Sequence, residues 1–327
     1  MNTPLWPLVD LHCHIEGAAP AELIRELAAR NGVRLPDHIF DENGHYRWTN
    51  FQHFLGAYDA ACAAIRTPQD YYDLTYRYYR AAAAVGLIYG EVFISADHGA
   101  NGGIDYPDMV QAMAEGLGKA REESGVQGRF ILTAIRHYGI EKCEATARQA
   151  HRHPHKLVTG FGMAGDETTG HPADYTRAFD IARDAELGLT VHAGEVCGAL
   201  SVRNALEALR PSRIGHGVQA VTDDDLLRRL AGEGVVLEVC PGSNIKVGVY
   251  DEYGQSPIRH LRDAGVKLAL GSDDPPYFHT DIANEYAQVQ RAFDFSDDDM
   301  RTISHTGIEA AFCDDQTKAD LLARLSP

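Results

Sequence analysis

Sulfur and positive charge are both scarce in this chain. Only 6 of its 327 residues are cysteines (Cys13, Cys62, Cys143, Cys197, Cys240 and Cys313), scattered and without a Cys-x-x-Cys pair. That spacing excludes a disulfide scaffold and a cysteine-rich zinc module, and it fits reduced thiols. Lys and Arg total 30 against 47 Asp and Glu, a formal charge of −17. Such a balance repels phosphate backbones and anionic lipid surfaces, so neither nucleic acid nor membrane is an expected partner. No apolar run approaches the length of a membrane span. The opening stretch Met1–Pro7 has neither the basic flank nor the apolar run of a secretion signal. A cytoplasmic protein is expected, and without repeats, low-complexity tracts or a linker, one domain over residues 1–327.

What the chain does have is alternation. Apolar runs at Leu8–His12, Leu87–Ser95, Arg129–Arg136, Leu157–Met163, Gly188–Ala193, Arg213–His216, Val235–Cys240 and Lys267–Gly271 read as strands. Most are separated by segments of helical spacing, among them Tyr106–Ser124, Ala173–Ala185, Val221–Gly232 and Pro257–Ala264. Eight strands alternating with helices predict a (β/α)8 TIM barrel, whose chemistry sits at the carboxyl ends of the strands.

One connection is long. Residues Glu16 to Val85 read as helices Pro20–Arg30, Phe51–Ile65 and Pro68–Ala84, an insertion placed to act as a lid after strand one. Phe51, Phe54, Leu55 and Tyr58 lie at i, i+3, i+4 and i+7, a stripe that serves equally to pack a helix or to roof a ligand. The runs Asp223-Asp224-Asp225 and Asp297-Asp298-Asp299 read as acidic first turns after Thr222 and Ser296 caps.

The chemistry-bearing residues fall at strand ends. His12 and His14 close the first strand, where residues two apart face the same side. His192 and Asp273 follow the fifth and eighth strands, giving a candidate metal set of His12, His14, His192 and Asp273. Three imidazoles and a carboxylate suit zinc, which brings the pKa of coordinated water to roughly 7 and makes hydrolysis the expected chemistry. The triplet His151, His153 and His155 also has ligand spacing but lies at no strand end. Glu195, three residues beyond His192, is a candidate proton donor, or simply an acid at a helix start. His216, between Gly215 and Gly217, is a candidate to orient or deprotonate the attacking water, or a hydrogen-bond partner of a ligand.

Six ordered segments then carry a resemblance: Leu11-His12-Cys13-His14-Ile15-Glu16-Gly17, Ala164-Gly165-Asp166-Glu167, His192-Ala193-Gly194-Glu195, Arg213-Ile214-Gly215-His216-Gly217, Glu238-Val239-Cys240-Pro241-Gly242-Ser243-Asn244 and Ser272-Asp273-Asp274-Pro275. The chain resembles the metal-dependent adenosine and adenine deaminases of the amidohydrolase superfamily. The resemblance implies one zinc per chain on His12, His14, His192 and Asp273, with Glu195 protonating purine N1 and His216 handling water. It implies substrate contacts from His14, Glu16, Asp274 (to N7) and the Gly165 amide (to N3). A binuclear site is not expected, because Leu157–Met163 ends without the bridging lysine of other superfamily members.

The branch is divided. Glu16 resembles adenine deaminases, since the adenosine branch usually carries aspartate there, whereas Ala164-Gly165-Asp166-Glu167 resembles the adenosine branch. The reading adopted from the sequence is adenosine and deoxyadenosine deamination to inosine and deoxyinosine plus ammonia. Adenine or an N6-substituted purine is the alternative substrate, and a non-catalytic purine-binding homologue the alternative without chemistry.

Overall fold

The computed structural model describes residues 6–325, so Met1–Leu5 of the opening stretch lie outside it. Eight parallel strands run in sequence order: β1 Leu8–His14, β2 Leu87–Ile94, β3 Gln127–Ile135, β4 Val158–Ala164, β5 Gly188–Ala193, β6 Arg213–His216, β7 Val236–Val239 and β8 Lys267–Leu270. Helices intervene between them, and the sheet curls into a nearly closed barrel, as expected of βαβ units. The strands are near-continuously buried, because parallel strands are covered on both faces.

Closure falls at the catalytic end. His14 N–H donates to the Asp273 carbonyl at 2.9 Å, and Asp273 N–H to the His12 carbonyl at 2.7 Å. This pairing carries β1 two residues beyond its expected end at His12. The backbones of three candidate ligands therefore seal the barrel.

The insertion between β1 and β2 contains helices α1 Ala21–Asn31, α2 Phe51–Cys62 and α3 Pro68–Ala84. Asn50 caps α2, and Thr67 with Asp70 forms a capping box on α3, with Pro68 in its first turn. The later Ser296 cap occurs as expected, but the residue capping Asp224–Glu233 is Asp223, whose carboxylate accepts Leu226 N–H. Thr222 instead turns its hydroxyl back to the Gln219 carbonyl. Among the described residues no helix is long and apolar enough to cross a membrane.

Candidate active site

Side chains from four parts of the chain meet above the strand ends. His14 Nε2 is 3.1 Å from His192 Nε2, and Asp273 Oδ1 is 3.4 Å from His14 Nε2 and 3.9 Å from His12 Nε2. One donor atom from each of the four lies within 4.8 Å of the others. Burial first, and the neighbouring rings second, hold His12 and His192 far below the ordinary histidine range and His14 at about 3. The imidazoles are therefore neutral, with lone pairs to offer.

The geometry around His12 tests the fit to a metal. Its Nδ1 lies 2.8 Å from Glu238 Oε2, and a carboxylate only accepts, so the ring proton belongs on Nδ1. The lone pair left on Nε2 is buried and has no partner. An acceptor stranded in this way costs about 1–3 kcal/mol unless something meets it. Three nitrogens and one carboxylate around such a lone pair suit a divalent transition cation. Close packing maintains the arrangement: a Cβ at Gly215 would come within 2.7 Å of His12 Cε1.

Supporting groups that the sequence reading gave no role lie behind the cluster. Glu238 on β7 also accepts Thr190 Oγ1 at 3.0 Å and Arg213 Nε at 2.6 Å, and Arg213 pairs with Glu91 at 2.7 Å. Asp10 accepts His12 N–H at 3.0 Å and the Ser272 hydroxyl at 2.5 Å. Glu238 fixes the tautomer of His12, and Asp10 the backbone between the ligands.

The remaining candidates line one cavity with His14, His192 and Asp273. Glu195 Oε2 is 3.8 Å from His216 Nε2; burial, and next the nearby Glu167, push its carboxyl up to about 8, with Arg136 opposing. Glu195 therefore holds a proton at neutral pH. His216 sits at a left-handed φ of 60° and Asp273 at 61°, backbone conformations that non-glycine residues seldom adopt. Asn244 Nδ2 is 3.2 Å from His216 Nδ1, and Tyr250 donates to Asn244 Oδ1 at 3.3 Å. With the amide nitrogen facing the ring, Nδ1 accepts and the proton of neutral His216 sits on Nε2.

Asp274 Oδ1 is buried without a partner, and burial together with Asp273 pushes that carboxyl well up. Gly165 has φ 94°, and a Cβ there would meet His137 Nδ1 at 2.6 Å, so both conformation and space require glycine. Glu16 Oε1 accepts the Tyr71 hydroxyl and the Ser95 N–H, both at 3.1 Å. From α2, Phe51, Phe54, Leu55 and Tyr58 roof the same cavity, so the ambiguous stripe faces the site. His151 and His155 line a separate groove, away from the cluster.

A parallel barrel with a His/Asp cluster at its strand ends defines a metal-binding hydrolase, a deaminase of the amidohydrolase superfamily. The chain belongs to the adenosine deaminase family, whose model matches residues 7–326. It is 49% identical to an adenine deaminase of Rhizobium leguminosarum bv. trifolii, over 97% of this chain and 98% of that one. The crystal structure of an adenine deaminase from Arthrobacter aurescens matches with a TM-score of 0.91 at 31% identity, covering 98% of each chain. An amidohydrolase from Burkhoderia ambifaria with bound Zn matches with a TM-score of 0.88 at 26% identity, over 97% of this chain and 89% of that one.

These relatives overturn the adenosine and deoxyadenosine reading, because those named for a substrate are adenine deaminases. The Glu16 geometry supplies a physical reason. The Glu16 side chain, a methylene longer than the aspartate usual in the adenosine branch, is held on one carboxylate oxygen by the Tyr71 hydroxyl and the Ser95 N–H, which fixes it in the cavity wall.

Proposed function

We propose that this protein hydrolyses adenine to the 6-oxopurine hypoxanthine and ammonia, with one zinc held by His12, His14, His192 and Asp273. The observation that carries the substrate is Glu16, one methylene longer than aspartate, which lines the cavity, is anchored there by Tyr71 and Ser95, and on this reading occupies the space a sugar would need. The adenine deaminases among its relatives support the same choice. A divalent cation at the four ligands supplies Lewis-acid activation of water at neutral pH.

The chain's own residues supply the rest. Glu195, protonated at neutral pH, gives its proton to N1 as oxygen adds to C6, which keeps the ring from accumulating negative charge. His216, with its proton on Nε2, orients the incoming water; the Asn244 contact favours this role over that of a base. Asp274, kept as the acid by burial and by Asp273, donates to N7, and the Gly165 amide meets N3. Of the two protons of the water, one restores Glu195 and the other passes to the exocyclic nitrogen, which leaves as ammonia while the C6 oxygen remains on the ring as the carbonyl.

Ammonia release from adenine, adenosine, deoxyadenosine and N6-methyladenine, measured on metal-analysed protein, tests the proposal. Adenine should exceed the nucleosides in kcat/KM by roughly tenfold or more, about 1.4 kcal/mol of discrimination. A nucleoside processed as fast as adenine would refute the assignment to Glu16.

A further inference from the structure

One buried carboxylate that touches neither the cavity's ligands nor its substrate contacts gathers five donors. Glu167, in the loop after β4 and 5% exposed, accepts the backbone N–H groups of four consecutive residues, Gly194, Glu195, Val196 and Cys197, and the hydroxyl of Ser201. The Glu195, Val196 and Cys197 amides lie 3.1, 2.9 and 2.9 Å from Oε2. The turn they belong to leaves β5 through Gly194, at a left-handed φ of 69°, and carries Glu195 into the cavity. Four successive amides pointing inward form an anion-binding concavity, and the protein fills it with its own side chain.

We propose that Glu167 is a positioning residue for proton transfer. Its carboxylate clamps the Gly194–Cys197 turn, fixing the backbone from which Glu195 reaches the substrate, and it sets a like charge behind that acid. The inference rests on Glu195 being the proton donor. Its logic is that such an acid needs both a fixed position and a reason to keep its proton. All five partners are donors, so both oxygens of Glu167 act as acceptors, as only an ionised carboxylate can throughout. Such charge-assisted bonds are stronger than neutral ones, and they hold the turn without help from a regular helix.

The groups facing Glu195 come from four other strand ends. Arg136 follows β3, Glu167 follows β4, His216 Nε2 lies 3.8 Å away at the end of β6, and Asp273 and Asp274 follow β8. Arg136 also donates to the His192 carbonyl, at the end of β5 from which the turn departs. Of the groups around Glu195, Glu167 is the one that both bonds its backbone and bears like charge.

The test compares kcat/KM against pH for the zinc-loaded wild type, Glu195→Gln and Glu167→Gln. In Glu167→Gln, kcat should fall about 10- to 100-fold with little change in KM. The alkaline limb should move about one pH unit toward acid as the like charge is lost, while metal content stays at the wild-type level. An alkaline limb that stays in place in Glu167→Gln overturns the proposal. A limb that persists in Glu195→Gln instead shows that the limb never belonged to Glu195, and so fails the underlying assignment separately. Should the glutamine variant not fold, Glu167→Asp retracts the carboxylate and keeps its charge. Amide exchange at residues 194–197 should then quicken at least about tenfold with the rest of the barrel unchanged. Unchanged protection there overturns the clamp.

Discussion

The strand ends and the insertion above them face the same cavity but are built on different terms. At the strand ends the groups are charged or titratable, deeply buried, and over-determined. His216 and Asp273 are held at left-handed φ, glycines 215 and 271 leave no room beside His12, and Glu238 and Asp10 bind His12 as Glu167 binds the Glu195 backbone. The insertion contributes mainly an aromatic roof on α2, and none of the non-glycine residues at positive φ lies within it. Left-handed backbone costs about 1–2 kcal/mol per non-glycine residue and persists only where the surroundings enforce it. Two of the six non-glycine residues at positive φ among the described residues, His216 and Asp273, belong to the strand-end cluster, the other four lying at or just beyond helix ends, whereas the insertion is built by ordinary helix packing. If this division holds, strand-end variants lose rate or metal, and insertion variants change selectivity.

The largest expected effect separates two adjacent residues. Asp273→Ala should lose the metal and, with it, activity by more than about 10⁴-fold, whereas Asp274→Ala should keep the metal and lose rate alone. Metal analysis of both purified variants checks this, and equal metal loss in the two would break the assignment. Next comes Glu195→Gln, expected to lower kcat by about 10²- to 10⁴-fold with metal retained. The wild-type enzyme should lose activity as pH rises through about 8, where Glu195 gives up its proton, and the variant should lack that limb.

The same titration should cost the wild type stability. A carboxyl raised from 4.5 to about 8 on folding contributes stability that is fully present below its unfolded pKa and is lost as pH rises through the folded value. Above pH 8 the wild type carries a buried charge that Glu195→Gln does not. Thermal unfolding at pH 9 should therefore show the inactive variant with the higher Tm, the pattern of a site that trades stability for function.

A smaller effect tests the layer behind the ligands. Glu238→Gln leaves one acceptor oxygen where two served; with that oxygen held by Thr190 and Arg213, an amide NH2 faces His12 Nδ1, and metal affinity should weaken about 10- to 100-fold with the barrel intact. Competition with a chelator measures it. Affinity unchanged within about twofold would mean that packing alone orients His12.

This supporting layer is also where sequence reading stops. The strands were legible because buried parallel strands are short apolar runs punctuated by glycine and charge: β5 and β6 fall at Gly188–Ala193 and Arg213–His216, as read. The clustering of His12, His14, His192 and Asp273 was legible because His and Asp at strand ends have few structural uses, and the helices of the insertion because Asn50, Thr67 and Pro68 mark their starts. Glu238 and Asp10 were not, since a carboxylate inside an apolar run carries no sign of its partner. Glu238 meets a ring 226 positions away, and Glu167 a turn 27 to 30 positions away. Nor could the spacing of Phe51, Phe54, Leu55 and Tyr58 tell a roof from a core, because both require the same helical stripe. The Asp223 cap was misread for a local reason: in a run of three aspartates after a threonine, two adjacent residues are competent caps, and the helix starts one residue later than the pattern implied.

The smallest effect belongs to the insertion and bears most directly on substrate choice. Glu16 stands where β1 gives way to the insertion, and Tyr71 reaches its Oε1 from α3. Glu16→Asp withdraws the carboxylate by one methylene, which should lengthen or break the contacts to Tyr71 and Ser95 and open space on the sugar side. Tyr71→Phe removes one donor and leaves the carboxylate in place. If Glu16 bars the sugar by position, Glu16→Asp should lower the adenine-to-adenosine ratio of kcat/KM several-fold, up to about tenfold. Tyr71→Phe should lower it less, since the carboxylate keeps its length and the Ser95 N–H still holds the same oxygen. The two changes act on one contact, so the double variant should fall short of the product of the single effects. Metal content should be unaffected in all three. A fully multiplicative double variant would separate Tyr71 from the selectivity of Glu16, and loss of metal in Glu16→Asp would erase the division between strand ends and insertion.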